Sequence, residues 1–532
     1  MISKKRYDPV PAVAALVLAV GIMISFAACA TPAESPKKPA VPPKVHADAD
    51  GLALTPPMGW YPWNIFGEEP QNEKLIREIA DALVASGMKD AGYAYVGPAE
   101  GICFSRGADG LLTSNLQRYP NSLRGLGDYI HGLGLKYALY TDAGSKTCSK
   151  AMPGTKGREL EDMRAFAEWR ADYIKIDWCN TEGQDIVKTY TLLAEAQRAA
   201  GRPVVHSLCS WGDGYPWQWA GAIGHMWRTT SDICAPGQAD WARALRIAFA
   251  NDELADFAGP GRWNDPDMMI VGMPGLSDGQ NRAIFSLWCM MASPLIAGND
   301  LRGMTPETIA TLTNLEAIAV DQDPLGVQGR VIWNDGNISL WAGKPLFDGS
   351  RAVLLLQQDK WKARKKILWE EIGFAAGDSL YVRDLWTHET SGPHVGGVMV
   401  SADPDGAAFI RVSKTGDFPI PPIIVADTYR VALRTAGTAP QELTGTVTVI
   451  NKGSAELKPW KVDPKSIPDW LTVTVEGSGR SQKLVNTVRA AGLKKGAYHA
   501  LVRADNVEPV SGKPMSALYY DLDLEVADDI KK

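Results

Sequence analysis

Two charges stand where a buried strand should be apolar. In "ADYIKIDWCN", residues 171 to 180, Ile174 and Ile176 suit a strand interior, whereas Lys175 and Asp177 are costly to bury unpaired. Side chains alternate along a strand, so Tyr173, Lys175, Asp177 and Cys179 share one face. One reading is a buried Lys175–Asp177 ion pair that only holds the strand in place. The other is a reactive carboxylate kept ionised by its lysine. A second acid favours the latter, because "MWRTTSD" carries Arg228 and Asp232. A carboxylate beside a cation stays ionised and can attack, while one nearer bulk solvent can carry a proton. Two such groups across a sugar ring hydrolyse glycosides. The competing role for Asp232 is a helix N-cap.

These groups need a scaffold that brings strand ends together. From Leu52 to about residue 325, strand-like runs alternate with amphipathic segments: "PPMGWYPWNIF", "YAYVGPAE", "KYALYTDAG", "DYIKIDWC", "PVVHSLCSW", "HMWRTTSD", "WNDPDMMIV" and "SPLIAGND" read as strands. "NEKLIREIADALVASGM", "SLRGLGDYIHGLG", "ELEDMRAFAEWR", "IVKTYTLLAEAQRAA" and "NRAIFSLWCMMA" read as helices. Eight strand-plus-helix units over 51–325 predict a (β/α)8 TIM barrel, a fold that builds active sites from polar residues at the C-terminal ends of its strands. A doubly wound open sheet is the alternative, but the first strand lacks the glycine fingerprint such sheets use for nucleotides. Over 326–416 the pattern shifts to short strands with turn residues between them, an antiparallel β-sandwich. Residues 417–532 read as a further immunoglobulin-like β domain.

The chain has 532 residues, a net charge of −6 and no basic stripe, which excludes a typical nucleic-acid binder. Eighteen tryptophans are compatible with buried cores and with sugar-stacking surfaces. Lys4, Lys5 and Arg6 precede an apolar run ending in "SFAAC", the pattern of an export signal over 1–28. The stretch resembles a bacterial lipoprotein signal with Cys29 lipidated; cleavage after Ala30 and a transmembrane helix are the other readings. Residues 29–50, rich in proline, alanine and charge, read as a disordered linker. The expected location is periplasmic or cell-surface, otherwise secreted, with the membrane touched only through the lipid. Export allows cysteines to pair. No CxxC or HExxH spacing suggests a metal, and no cofactor is expected.

The motifs "TPPMGW", "KDAGY", "KTC", "YIKIDWC", "RTTSDI", "AGPGRWNDPDMM" and "DQDPLG" occur in an order that resembles glycoside hydrolase family 27, the α-galactosidases and α-N-acetylgalactosaminidases. The likeness runs from about 52 to 330. It implies a barrel followed by an antiparallel β domain, retaining exo-hydrolysis of α-glycosides, and a terminal α-linked sugar as the partner. It further implies Asp177 as nucleophile and Asp232 as acid/base. Trp63, Glu100, Tyr140, Lys175, Ser210, Arg228 and Asp265 would line the sugar pocket, and Cys148 and Cys179 would form a disulfide. Two positions depart from the pattern. Where members carry adjacent aspartates after the second strand for O4 and O6 of galactose, this chain has Ala99 and Glu100. Where α-galactosidases often read "CEW", it reads "CSW", with Ser210 resembling the N-acetylgalactosaminidases. The expected activity is that of an α-galactosidase. The alternatives are α-N-acetylgalactosaminidase, β-L-arabinopyranosidase or isomalto-dextranase action by the same mechanism, or a non-catalytic carbohydrate-binding surface lipoprotein.

Overall fold

The computed structural model describes residues 50–68, 71–436 and 442–527, so Cys29 and the export segment lie outside the described residues. Eight parallel strands form the first sheet: β1 (Met58–Trp60), β2 (Tyr95–Val96), β3 (Lys136–Asp142), β4 (Tyr173–Asp177), β5 (Val205–Cys209), β6 (Met226–Arg228), β7 (Trp263–Asp265) and β8 (Leu295–Ala297). They pair in the order β8-β1-β2-β3-β4-β5-β6-β7. A parallel bridge from Met269, just past β7, to Ala297 of β8 closes the ring. This is the expected TIM barrel.

Local chemistry sets where the helices begin. Asn72, Asp185 and Asp240 accept backbone N–H groups at the starts of α1 (Glu73–Ala85), α2 (Ile186–Ala200) and α3 (Trp241–Asp252). Ser277 and Gln280 close a capping box at the start of α4 (Asp278–Met290). The strands are shorter than the apolar runs suggested. β2 keeps two residues of "YAYVGPAE", and β7 ends at Asp265, because the rest turns outward to build the rim. One expected helix is missing: β5 is followed by the 3₁₀ turns Pro216–Gln218 and Ala220–Ala222, and the next α-helix is α3. A glycine-rich, tryptophan-rich stretch carries no apolar stripe of helical period.

Beyond the barrel, Arg330–Asn334 opens a six-stranded sheet in which every pair is antiparallel, backed by the two-stranded sheet of Ala363–Leu368 and Gly397–Ala402. One face packs on α4 and joins the barrel core through Trp341, Leu354 and Phe409, while the other face forms its own core around Trp369. Two four-stranded sheets follow, with a separate core around Trp460 and Leu522. Here Arg430–Ala436 runs parallel to Leu518–Ala527, so this second sandwich is mixed rather than wholly antiparallel. It packs under the N-terminal rim of the barrel, where Arg202 Nη1 lies 2.9 Å from Asp521 Oδ1. No helix among the described residues is long and apolar enough to cross a membrane.

Candidate active site

The C-terminal rim of the barrel gathers charge from five strands. Asp177 ends β4 and is buried. From β3, Tyr140 donates its hydroxyl to Asp177 Oδ2 at 2.9 Å. Lys175 Nζ lies 3.6 Å from Oδ1, which accepts no hydrogen bond. Burial lowers the pKa of the Lys175 ammonium, but the charges of Asp177, Cys209 and Asp267 together outweigh it and the net shift is upward. The ion pair expected from the alternation is present, and it leaves one carboxylate oxygen unused. Cys179 lies past the strand end, so it does not continue the strand's face.

Asp232 stands four residues beyond β6 in a loop, with its side chain 45% exposed. It caps no helix, since α3 starts at Trp241 and is capped by Asp240. Arg228 Nη2 and Trp211 Nε1 each approach its Oδ1 at 3.0 Å. Burial pushes its carboxyl up, but Arg228 and Lys175 outweigh burial and hold it below the ordinary range. Lys175 therefore acts on both acids. Arg228 is itself buried; its Nη2 also lies 2.9 Å from Asp267 Oδ2, and its Nε has no partner.

Asp267 is a residue that sequence reasoning missed. Of the two aspartates in "WNDPDM", only Asp265 was expected at the site. Asp265 ends β7 opposite Arg228 in register, and burial raises its pKa to about 6 against the pull of Arg228. Asp267 sits at φ +98°, a conformation that non-glycine residues rarely take outside functional sites. Its oxygens accept the Ile233 and Met268 amides, both at 2.7 Å. It thus ties Arg228 to the loop that carries Asp232.

Asp142 was also missed. It ends β3 in register with Asp177. Burial raises its pKa to about 8; hydrogen bonds from Gly144 and Cys179 N–H oppose that, and the Asp177 charge reinforces it. Its carboxyl therefore holds a proton to higher pH than an ordinary aspartate does. Cys148 and Cys179 form the expected disulfide. Asp142 and both sulfurs cluster within 4.8 Å, but the disulfide removes the thiolates a metal would need. Cys103, Cys209, Cys234 and Cys289 are free and buried. Cys209 faces Asp177 in register, 3.8 Å from Arg228 Nη1.

The remaining expected residues fall around this cluster unequally. Gly97 lets the loop after β2 lie against β3; a Cβ there would stand 1.9 Å from the Ala138 carbonyl. That loop buries Ala99 and Glu100. Glu100 does not extend freely into the pocket. Ser149, beside the disulfide, holds Glu100 Oε1 with its amide and hydroxyl, both at 2.6 Å, and Oε2 reaches only Tyr140 at 3.4 Å. Ser210 follows β5, buried, with its hydroxyl donated to the Asp213 carbonyl at 3.0 Å. Trp63 opens the short helix Trp63–Phe66 after β1 and is half-buried at the same rim.

The profile of the family described as "Alpha galactosidase A" matches residues 55–323, and that of the "Alpha galactosidase C-terminal beta sandwich domain" matches 335–412. The α-galactosidase of Oryza sativa subsp. japonica is 42% identical over 342 residues, covering 64% of this chain and 81% of that protein. Alpha-galactosidase A of Cellvibrio japonicus is 44% identical over 314 residues, 58% of this chain and 77% of that one. The crystal structure of α-galactosidase I from Mortierella vinacea superposes with a TM-score of 0.64 at 30% identity, covering 69% of this chain and 99% of its own.

Proposed function

The chain belongs to the alpha galactosidase A family of glycoside hydrolases, and from that premise we propose that it releases terminal α-linked galactose with Asp177 as nucleophile and Asp232 as acid/base. The observation that carries this reading is the Asp177 carboxylate, with Oδ2 fixed by Tyr140 and Oδ1 facing Lys175 but accepting no hydrogen bond. Oδ1 attacks the anomeric carbon while Asp232 gives a proton, taken up from solvent at its exposed side chain, to the departing glycosidic oxygen, leaving a glycosyl ester on Asp177. Asp232 then takes a proton from water, whose oxygen attacks the same carbon and frees Asp177. Two inversions retain the α configuration. Lys175, Arg228, Asp265 and Asp267 supply charged partners for the sugar hydroxyls, Tyr140 a polar wall and Trp63 an apolar one.

The experiment is proton NMR of aryl α-galactoside hydrolysis. The α-anomer should form first; β-galactose appearing first, or an active Asp177→Asn protein, would overturn the assignment.

A second reading is favoured by specific residues. Ser210 is small and turned onto the Asp213 carbonyl, which leaves room for a 2-acetamido group. Ala99 cannot accept a hydrogen bond and Glu100 is held by Ser149, so recognition at O4 and O6 differs from that of two free aspartates. The same mechanism then acts on a 2-acetamido sugar or on a pentose lacking the 6-hydroxymethyl group. Measuring kcat/KM on the three aryl glycosides separates these, and the Ala99→Asp/Glu100→Asp variant should raise the value for the galactoside. An unimproved variant of a wild type already efficient on galactoside would exclude position 99 from sugar choice. Export with lipid on Cys29 belongs to this proposal as well; labelled palmitate should enter the wild type and not Cys29→Ser.

A further inference from the structure

A cavity lies at the end of the barrel opposite Asp177. It measures about 140 Å³ and lies between the N-terminal rim and the final sandwich, lined by residues from both, including Tyr95, Lys136, Tyr429, Trp460 and Glu508. Tyr95 and Lys136 begin β2 and β3, whereas Asp177 ends β4.

Its polar groups are unbalanced. Lys136 Nζ sits between the ring faces of Tyr95 and Tyr429, 5.3 and 5.4 Å from their centres. Among the described residues it has no carboxylate in ion-pairing range. The carboxylate that acts on it from further away, Asp172, is fully used: Arg202 takes Oδ1 at 2.6 Å, and His131 at 2.6 Å and the Tyr137 amide at 2.8 Å take Oδ2. The indole N–H of Trp460 is buried without an acceptor. Glu508 offers the cavity no free acceptor either, since the Val510 and Ser511 amides occupy its two oxygens. A half-buried ammonium whose neighbours are ring faces keeps its capacity for an anion, because ring faces repay only part of its lost hydration. The rest of the wall is largely proline rings and aliphatic side chains.

We propose that this cavity is a binding site for a small organic carboxylate with a flat or cyclic apolar body, its carboxylate received by Lys136 and its body by the tyrosine and proline rings. The volume suits a ligand with one six-membered ring, comparable to engineered cavities that hold benzene. Because both the barrel and the final sandwich contribute walls, the ligand joins them, and binding raises the melting temperature of the whole chain.

The test is calorimetric titration of the full chain with benzoate, and with benzylamine as the same ring bearing the opposite charge. Benzoate should bind and benzylamine should not. Lys136→Met, which keeps the side-chain length and removes the charge, should weaken benzoate by roughly tenfold or more, the value of one charge-assisted hydrogen bond. Glycosidase turnover should stay at wild-type level and report that the variant is folded. Absence of benzoate heat, equal binding of the two probes, or undiminished binding in a folded Lys136→Met protein would each overturn the proposal. Should that variant not fold, a crystal of the unchanged protein soaked in 4-iodobenzoate decides: an iodine peak in this cavity supports the site, and a peak elsewhere or none removes it.

Discussion

Strand β4 carries an aspartate at each end, and the two live in opposite electrostatic worlds. Asp172, at the N-terminal rim, has both oxygens filled by Arg202, His131 and a backbone amide. Around it, Asp521 receives Arg202 at 2.9 Å, and Asp523 receives Arg170 and, at 2.9 Å, Arg430. All three carboxyls are held below their ordinary range, because these cations and hydrogen bonds outweigh burial. Asp177, at the C-terminal rim, has an unused oxygen, and its neighbours Asp142 and Asp265 are pushed up to about 8 and about 6, chiefly by burial. The lower cluster is complete as it stands. The upper cluster has more carboxylate than its two cations can satisfy, the condition of a site waiting for hydroxyls and for a positively charged transition state.

The pH dependence of stability therefore runs in opposite directions at the two ends. Carboxyls with depressed pKa contribute stability that is present above about pH 4, their unfolded value, and is lost as pH falls further. Asp142 and Asp265 keep protons that the unfolded chain releases near pH 4, so they withdraw stability as pH rises towards about 8 and about 6 respectively.

The largest expected effect comes from Asp177→Asn. Turnover should fall by about 10⁴-fold or more, since no other group can form the ester. Because the Asp177 charge helps to raise Asp142, the variant's decline in stability between pH 4 and 8 should be shallower than that of the wild type, even though Lys175 loses its partner. An unchanged slope over that range would break the contrast between the two ends. Asp521→Ala should do the reverse. Removing one partner from a buried ion cluster costs about 3–5 kcal/mol, read by urea denaturation, with kcat unchanged at temperatures where the protein is folded. The acid side of the melting-temperature profile should flatten in that variant and stay steep in Asp177→Asn. The smallest effect is reserved for Trp211→Phe, which removes one donor to the ionised form of Asp232. Its carboxyl should then hold the proton to higher pH, and the alkaline limb of kcat/KM should move up by a fraction of a unit. A limb that moves down would show that Trp211 does not stabilise the carboxylate.

How much of this could be read beforehand depended on separation along the chain. The alternation in "YIKIDW" exposed Lys175 and Asp177 because both sit on one short strand. The barrel was legible for the same reason, each strand and most helices being local patterns. Asp267 was not, since its position depends on a left-handed backbone turn that places the second aspartate of "WNDPDM" against Arg228. Asp142 reads as an ordinary strand end until β3 and β4 are set in register. The capture of Glu100 by Ser149 joins residues 49 apart, and no periodicity announces it. The lower cluster is further out of reach: Arg202 and Asp521 are 319 residues apart, in segments whose own patterns say barrel and sandwich but not which faces meet.

That distance also sets a timetable. The barrel strands leave the ribosome first, yet Arg170 and Arg202, paired within the barrel to Asp128 and Asp172, receive their further carboxylates from Leu518–Ala527, the last strand of the second sandwich. At about 5–20 residues per second, Arg202 waits roughly 15–65 s for Asp521. During that interval the nascent barrel carries an uncovered cationic underside, open to chaperones and to anionic surfaces. The catalytic half of the chain thus becomes self-sufficient only when its non-catalytic end has been made.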